Sequence, residues 1–396
     1  MTTLADRALE LHLRGRVRFG VGSLATLPEL VRETGGSRAF VVTDPGVVRS
    51  GVAGRVVDVL GAAGIGSTVF DGVEPNPGTA TVAAGSAALA AFGTERTVVV
   101  PVGGGSSMDS AKVMSLHAAN GRGDVLGLGY HREDVTPGGP VIAIPTTAGT
   151  GAETNTYGVI TDEAAGRKDY VGHPSLLPVW SVLDPALTVG LPPAATAATG
   201  VDAMTHSIES LLSRNPNPFA EALALQVIRT VSAWLPRAVA DGADLEARSQ
   251  LLMASHLAGI GQQSGTGVGL VHALGHAIGT RGRLAHGTAL AVVEPEVLAF
   301  YADEPGLRDR ELHLAGVALR VASPTEEPAT GAIAFIGGLR TFLAAVGQRP
   351  TLRSLGFDDA LLDTVAGDAI DDAAIANSPR LPTLAQAREI LASIAG

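Results

Sequence analysis

The sequence predicts two kinds of architecture in one chain: an α/β region built on a parallel sheet, followed by an all-helical region. In the first half, β-branched runs alternate with Ala- and Leu-rich stretches, and the runs are continuously apolar, which is typical of strands covered on both faces. From about Pro192 onward, such runs almost disappear and helical periodicity dominates. We therefore predict an α/β domain with a parallel sheet over residues 1–188 and an all-α domain over residues 189–396.

The individual elements follow from this pattern. The predicted strands are residues 39–43, 67–70, 96–102 and 141–144. The predicted helices are 52–63, 79–92, 194–213, 218–239, 245–260, 312–321 and 329–346. The boundary falls at residues 185–192, where two prolines and a glycine interrupt the apolar pattern.

Composition excludes several classes of protein. The net charge is −11, with only 28 Lys and Arg among 396 residues, so a surface for nucleic-acid phosphates is not expected. The absence of cysteine excludes disulfides and thiolate metal sites and leaves His and carboxylates as the strong metal ligands. Apolar runs are too short for a membrane span, and residues 1–14 lack the apolar core of a signal peptide. We therefore expect a cytoplasmic protein that binds neither nucleic acid nor membrane.

A glycine-rich loop separates the strand at 96–102 from the helix that should follow it. Gly103, Gly104, Gly105 and Ser106 would let the backbone approach a pyrophosphate, while amides at the helix start donate to it. Asp109 is expected in the first turn of that helix, where a carboxylate suits the dipole, and we count it with Gly103 among the candidate cofactor-binding residues. The spacing matches neither the dinucleotide fingerprint nor the P-loop, so a tight turn without a ligand is the alternative.

Asp44 directly follows the strand at 39–43. A carboxylate at the carboxyl end of such a strand accepts from a ribose hydroxyl and repels a 2′-phosphate, which favours NAD over NADP. The alternative is an aspartate that forms a turn before Pro45.

The helical half carries a histidine-rich constellation. Asp202 and His206 are four residues apart, as are His272 and His276, so each pair shares a helix face. His286 follows on a predicted loop that would bring it back to the same point. Three imidazoles and one carboxylate suit Fe(II) or Zn(II), with room for a substrate oxygen. The alternative is that these histidines cap helices or fill polar gaps.

Several motifs, in this order, resemble those of the iron-containing (group III) alcohol dehydrogenase family, within the dehydroquinate-synthase-like fold. The similarity covers nearly the whole chain. The matching segments are 75–77, 103–112, 144–153, 198–209, 272–276, 286–287 and 377–380.

The resemblance implies a metal-dependent oxidoreductase that moves a hydride between NAD(H), less readily NADP(H), and a small alcohol or aldehyde, and that assembles as a homodimer. It implies that the metal, Fe(II) or Zn(II), is bound by Asp202, His206, His272 and His286. It places His276 near the nicotinamide as a proton-relay residue. The cofactor residues that it implies are Asp44, Gly104, Gly105, Ser106, Thr146, Thr147, Thr150 and Lys168.

Two segments depart from the family pattern. Residues 261–267 run one residue longer, and residues 279–284 lack the usual aromatic side chains. One hypothesis is therefore that Arg281 or Arg283 pairs with an anionic aldehyde; the alternative is a solvent-facing arginine.

Two other functions fit parts of the sequence. A sugar-phosphate cyclase of the dehydroquinate synthase type shares the fold, but such enzymes surround a phosphate with Lys and Arg and typically offer Glu as the carboxylate ligand. This chain offers Asp202 and few basic residues nearby. A non-catalytic, metal-stabilised scaffold would leave the glycine-rich loop unexplained.

Overall fold

The computed structural model describes residues 15–121, 123–129, 132, 134–164 and 167–396; the N-terminal segment 1–14 lies outside the described residues. These residues form two compact units. The first comprises the described residues up to Pro192 together with Asp241–His256, and the second comprises Pro193–Ala240 and Leu257–Gly396. The domain ranges 1–188 and 189–396 stay a prediction.

The first unit is built on a parallel sheet, as predicted. Its six strands run in the order β1-β8-β5-β4-β2-β3 in the described part of the chain, and β6 and β7 pair separately as an antiparallel hairpin. The strands are β1 Arg16–Phe19, β2 Arg38–Val42, β3 Gly66–Phe70, β4 Thr97–Gly103, β5 Ile142–Pro145, β6 Tyr157–Asp162, β7 Arg167–Gly172 and β8 Trp180–Leu183.

Helices connect these strands and make up most of the second unit. In the first unit they are α1 Leu27–Glu33, α2 Pro45–Arg49, α3 Val52–Ala62, α4 Thr79–Phe92 and α5 Gly105–Ala119. Those that follow are α6 Pro193–Leu212, α7 Pro218–Ala240, α8 Leu245–Gly261, α9 Leu270–Gly282, α10 His286–Ala302, α11 Asp309–Ala318, α12 Pro328–Ala345, α13 Asp359–Ile370 and α14 Leu384–Ser393. The predicted parallel α/β region and the predicted helical region are both confirmed.

The sheet is buried on both faces, which explains its continuous apolar strands. In β2, Ala39 and Val41 belong to one core cluster, whereas Phe40 and Val42 belong to the other. Successive side chains of a strand point to opposite faces, so every position of β2 needs an apolar residue. The same pattern in β4 and β5 fixes the central strands of the sheet.

The strand order reverses direction between β2 and β4, and this reversal positions the candidate cofactor site. From β2 the chain moves outward to β3, returns to β4 on the other side of β2, and continues to β5. Ligands of open α/β sheets bind at the carboxyl ends of strands beside such a switch point. Asp44 and the glycine-rich loop follow the carboxyl ends of these two strands.

Four strands of the first unit were not predicted from the sequence. The edge strand β1 has only four residues, and its apolar positions alternate with Arg16 and Arg18. The β6–β7 hairpin has mixed burial, and β8 is again only four residues long. Short or half-exposed strands give too few consecutive apolar positions for a periodicity to show.

Among the described residues, one helix is long and apolar enough to cross a membrane by length and composition. This helix is α12, with a mean hydropathy of 1.2. Core helices of soluble proteins meet the same criterion, so one such helix is weak evidence for a span.

Candidate cofactor and metal sites

The glycine-rich loop forms the start of α5, as its position between strand and helix indicated. The N-cap of α5 is Gly104, and no side chain caps the helix there. The first amides of a helix have no intrahelical acceptor, so they can donate to an anionic group. A Cβ at Gly103 would lie 2.4 Å from Ser107 Oγ, and one at Gly105 would lie 2.7 Å from Thr150 Cγ2. The loop therefore closes this tightly only with glycine at these two positions.

Asp44 forms the turn that the sequence offered as the alternative, while its second carboxylate oxygen faces the glycine-rich loop. Its Oδ1 accepts hydrogen bonds from the amides of Gly46 and Val47, at 2.7 and 3.0 Å, and thereby caps α2. Its Oδ2 is directed toward the glycine-rich loop, since a Cβ at Gly103 would lie 3.4 Å from it. One oxygen thus serves the turn, and the other borders the candidate ligand site.

The threonines from the segment after β5 pack against the same loop. The amide of Thr146 donates to the carbonyl of Gly103 at 2.9 Å. A Cβ at Gly104 would lie 3.3 Å from Thr147 Oγ1, so this side chain lies beside the N-cap. Lys168 lies on β7, where it pairs in register with Thr161 of β6.

Asp109 differs from expectation. Since α5 begins at Gly105, Asp109 lies beyond the first turn and its side chain is buried, so the dipole argument does not apply. Its Oδ1 lies 3.1 Å from Lys112 Nζ, and its Oδ2 accepts from the amide of Val159 at 3.2 Å. Burial raises the pKa of Asp109 and lowers that of Lys112, against the mutual attraction of the two charges. These contacts give Asp109 an internal structural role.

Lys112 ties the loop after β5 to α5. Its ammonium group donates to Asn155 Oδ1 at 2.5 Å and to the carbonyl of Ala152 at 2.9 Å. Nearby, the buried His256 Nδ1 lies 2.9 Å from Glu153 Oε1. Both contacts hold the 152–155 segment in place.

The metal constellation is assembled in the second unit. Asp202 Oδ1 lies 3.8 Å from His206 Nε2, 3.9 Å from His272 Nε2 and 3.6 Å from His286 Nε2. The ligand atoms of Asp202, His206 and His272 lie within 4.8 Å of one another, and all three residues are buried. The side chain of His286 is 28% exposed. The structure therefore brings together all four residues that the resemblance implied.

The donor set fits a divalent ion. The three separations are too long for hydrogen bonds, but ligands about 2.1 Å from a tetrahedral ion lie about 3.4 Å apart. Within the described part of the chain, Asp202 Oδ1 and His272 Nε2 are buried without a hydrogen-bond partner. Orphaned buried polar atoms are costly, and a shared cation would satisfy both.

His286 was predicted to lie on a loop, but it is the first residue of α10. The turn after α9 spans only residues 283–285, and His286 is the first residue of the next helix. A Cβ at Gly287 would lie 1.8 Å from the carbonyl oxygen of Ala198 on α6. The glycine after His286 therefore permits the backbones of α6 and α10 to approach closely, which carries His286 to Asp202.

Three carboxylates that the sequence analysis did not single out surround this cluster. Glu209 Oε2 lies 2.5 Å from His272 Nδ1, and Asp372 Oδ2 lies 2.8 Å from His276 Nδ1. Glu294 is fully buried and accepts from Thr205 Oγ1 at 3.1 Å. Glu209 was visible in principle, because it follows Asp202 by two helical turns on the same face. Asp372 gave no such signal, since it is 96 residues from His276.

The charges of these carboxylates differ with their partners. Burial pushes the pKa of Glu209 upward, but the charge and hydrogen bond of His272, together with the amides of Gly269 and Val271, outweigh it and leave the pKa lowered. The same balance, with His276 as the partner, lowers the pKa of Asp372. For Glu294, burial and the neighbouring carboxylate of Glu209 raise the pKa well above its usual value. Its surroundings therefore favour the protonated form of Glu294, whereas the histidine partners favour the ionised forms of Glu209 and Asp372.

Arg281 and Arg283 show different surroundings. Both are exposed, and the guanidinium of Arg281 forms a bidentate pair with Asp368, at 2.7 and 3.1 Å. Arg283 caps the end of α9 in a left-handed conformation. The ion pair accounts for Arg281 without an anionic substrate.

Comparison with known proteins identifies the family. Residues 15–185 match the family model described as iron-containing alcohol dehydrogenase, and residues 196–395 match that of its C-terminal domain. The chain belongs to the iron-containing alcohol dehydrogenase family. Membership implies a divalent metal and NAD(H) binding, and it makes the chain an oxidoreductase.

Individual members of this family match along nearly their whole length. The lactaldehyde reductase of Escherichia coli (strain K12) is 34% identical over 368 residues, covering 92% of this chain and 94% of that protein. The NAD-dependent methanol dehydrogenase of Bacillus methanolicus is 32% identical over 376 residues, covering 94% and 96%. The crystal structure of a 1,3-propanediol oxidoreductase superposes with a TM-score of 0.92 at 30% identity, covering 98% and 100%. These matches give the cyclase alternative no support.

Proposed function

We propose that this member of the family is an NAD(H)-dependent, iron-loaded enzyme that interconverts small uncharged alcohols and aldehydes. The convergence of three imidazoles on Asp202 Oδ1, at 3.6–3.9 Å, carries the proposal. A divalent ion supplies Lewis-acid polarisation of a substrate oxygen when bound, and the nicotinamide supplies or accepts the hydride.

Asp202, His206, His272 and His286 would hold the ion. Three of these are buried, whereas the side chain of His286 is 28% exposed. The exposed flank at His286 is therefore the side from which we expect the substrate to approach. The relative burial of the other three residues keeps bulk water away from the opposite flank.

His276 and Asp372 would move the proton. The carboxylate of Asp372 accepts from His276 Nδ1 at 2.8 Å, which leaves Nε2 as the nitrogen that can take up or release a proton. Asp372 is only partly buried, with 16% of its side chain exposed. The pair thus links the imidazole to solvent.

The glycine-rich loop would bind the cofactor pyrophosphate through the first amides of α5, at Gly105 and Ser106, which follow the N-cap Gly104. Thr147 and Thr150 border this loop, and Lys168 would lie along the ribose. Asp44 Oδ2 would accept from a ribose hydroxyl, so we propose NAD rather than NADP.

Iron rather than zinc is proposed as the native metal because the chain belongs to a family defined by iron. The donor set itself suits both ions. Metal analysis of protein purified without added metal, followed by reloading with Fe(II) or Zn(II), separates the two.

The test of this function is turnover on metal-stripped, reloaded protein, with NADH or NADPH and a panel of neutral and anionic aldehydes. We expect metal-dependent oxidation of NADH, highest for neutral aldehydes, and loss of kcat/KM by about 10³-fold in Asp202→Ala because several kcal/mol of metal-derived stabilisation disappear. In Asp44→Ala, kcat/KM with NADPH should rise relative to NADH. No turnover with any metal, cofactor or aldehyde would overturn the proposal.

We further propose a cytoplasmic homodimer. The edge strand β1 exposes Phe19 and Val17, at 44% and 37%, on a face that a second copy would cover. Light scattering after size-exclusion chromatography would give about twice the mass of the 40.0 kDa chain if this holds, and the single-chain mass if it does not.

A further inference from the structure

The metal cluster is supported by a carboxylate from the same helix that carries two of its proposed ligands. On α6, Asp202, His206 and Glu209 are spaced by four and then three residues, so their side chains share one helix face. Glu209 is buried, with 5% exposure. A buried carboxylate is costly unless each oxygen is satisfied, which makes its partners informative.

The two oxygens of Glu209 act on one target, the first turn of α9. Oε1 accepts from the amide of Val271 at 2.7 Å and from that of His272 at 3.4 Å. The N-cap of α9 is Gly269, which has no side chain to cap the helix, so Glu209 supplies the missing acceptor. Oε2 lies 2.5 Å from His272 Nδ1. One carboxylate therefore binds both the backbone and the ring of His272.

This arrangement selects a tautomer. An ionised carboxylate only accepts hydrogen bonds, so the hydrogen of a neutral His272 ring lies on Nδ1 and the lone pair lies on Nε2. Nε2 is the atom that lies 3.9 Å from Asp202 Oδ1. We propose that Glu209 is a positioning residue for the metal centre: it sets the His272 tautomer that can bind the ion and fixes the rotation of α9. This inference rests on the metal site proposed above.

Glu209→Gln provides a sharp test because it keeps the shape of the side chain. A glutamine whose oxygen still accepts from Val271 must present its NH₂ group to His272 Nδ1, which moves the ring hydrogen to Nε2. We expect the dissociation constant for Zn(II), measured by competition with a chromophoric chelator, to rise about 10–100-fold. The absorption spectrum of the Co(II)-loaded protein should change as well. The matched control is Glu294→Gln, a substitution of another buried carboxyl group nearby, which accepts from Thr205 Oγ1 at 3.1 Å; in this variant the affinity should stay within about twofold of wild type.

The tautomer can be read without metal. In metal-free protein labelled with nitrogen-15 histidine, the wild-type His272 ring should be protonated on Nδ1, and in Glu209→Gln on Nε2. A His272→Ala sample assigns the signal, and the wild-type spectrum alone tests the tautomer if the variant fails to fold. A wild-type His272 protonated on Nε2 would overturn the inference.

The Zn(II)-binding measurement distinguishes failure of the proposed metal site from failure of the role of Glu209. Wild-type protein that binds one Zn(II) no better than Asp202→Ala overturns the metal site. Wild-type binding that depends on Asp202 but is unchanged in Glu209→Gln overturns the role of Glu209 and leaves the metal site standing.

Discussion

The two proposed ligand-binding regions of this chain are made from different parts of the polypeptide. The candidate phosphate site uses backbone amides at the start of α5, next to glycines whose missing Cβ atoms leave room for Ser107 and Thr150. The candidate metal site uses side chains from α6, α9 and α10, which converge on one carboxylate oxygen. The phosphate site therefore depends on positions without a Cβ, and the metal site depends on specific side-chain ligand atoms.

This difference predicts opposite sensitivities. Adding a methyl group should damage the backbone site, and removing or moving a side chain should damage the metal site. It also predicts that each lesion is confined to its own ligand. Four substitutions test how far the contrast holds, in order of expected effect.

The largest effect should come from the buried ion pair beneath the backbone site. Lys112→Met leaves Asp109 buried without its counter-charge, and such losses cost about 3–5 kcal/mol of unfolding free energy. Urea unfolding followed by Trp180 fluorescence, in a Trp234→Phe background, reports on the sheet-containing unit because the chain has only two tryptophans. The double variant Lys112→Met with Asp109→Asn should recover part of the lost stability. It no longer buries an unpaired charge, and the side-chain oxygen of the new asparagine can still accept from the amide of Val159. If the unfolding free energy of Lys112→Met lay within about 1 kcal/mol of the parent value, the Lys112–Asp109 ion pair would not be needed to stabilise the backbone site.

The second-largest effect is expected when a methyl group is added at the metal site. This substitution tests whether the metal site is also sensitive to an added methyl group. In Gly287→Ala the new Cβ would lie 1.8 Å from the Ala198 carbonyl oxygen, so α10 must shift and carry His286 away from Asp202. We expect Zn(II) affinity to fall about 10–100-fold, the range seen when support around a metal is lost, with NADH affinity unchanged. The control is Gly279→Ala on α9, where the nearest atom to the new Cβ is 3.7 Å away. Equal affinities in the two variants would contradict the role of the close contact.

A third, smaller effect is expected at the backbone site itself. In Gly103→Ala the new Cβ would lie 2.4 Å from Ser107 Oγ, at a φ of +156°, and strain of this kind costs about 1–3 kcal/mol. The dissociation constant for NADH, from fluorescence titration, should rise about tenfold or more, while Zn(II) affinity stays constant. Gly54→Ala on α3, where a Cβ meets nothing within 4 Å, serves as the matched control. An unchanged NADH constant in Gly103→Ala would argue against a phosphate site at this loop.

The same contrast explains what sequence reasoning could find. The helix Thr79–Phe92 was predicted with its observed bounds, and the pairs Asp202–His206 and His272–His276 were visible because helical spacing is a local property. Contacts between elements were not visible. Asp372 reaches His276 across 96 residues, and Asp368 reaches Arg281 across 87. Periodicity gives the face that a residue occupies but not the neighbour that the face meets. For the same reason Asp109 was expected to face a ligand, whereas it pairs with Lys112.

The smallest effect is expected from the repulsion among carboxylates that are buried together at the metal site. Glu294 is buried near the carboxylates of Glu209 and Asp202, and its pKa is raised by burial first and by those charges second. Between the unfolded and folded pKa values the folded state binds one more proton, so stability falls as pH rises. In metal-free protein, where no cation offsets the carboxylates, Glu294→Gln removes this titration. Its melting temperature should match that of wild type near pH 4.5 and exceed it increasingly toward pH 8. Each kcal/mol of relief raises the midpoint by about 2–4 °C. A difference in melting temperature that does not change with pH would mean that Glu294 is ionised in the folded protein and that the cluster tolerates three charged carboxylates.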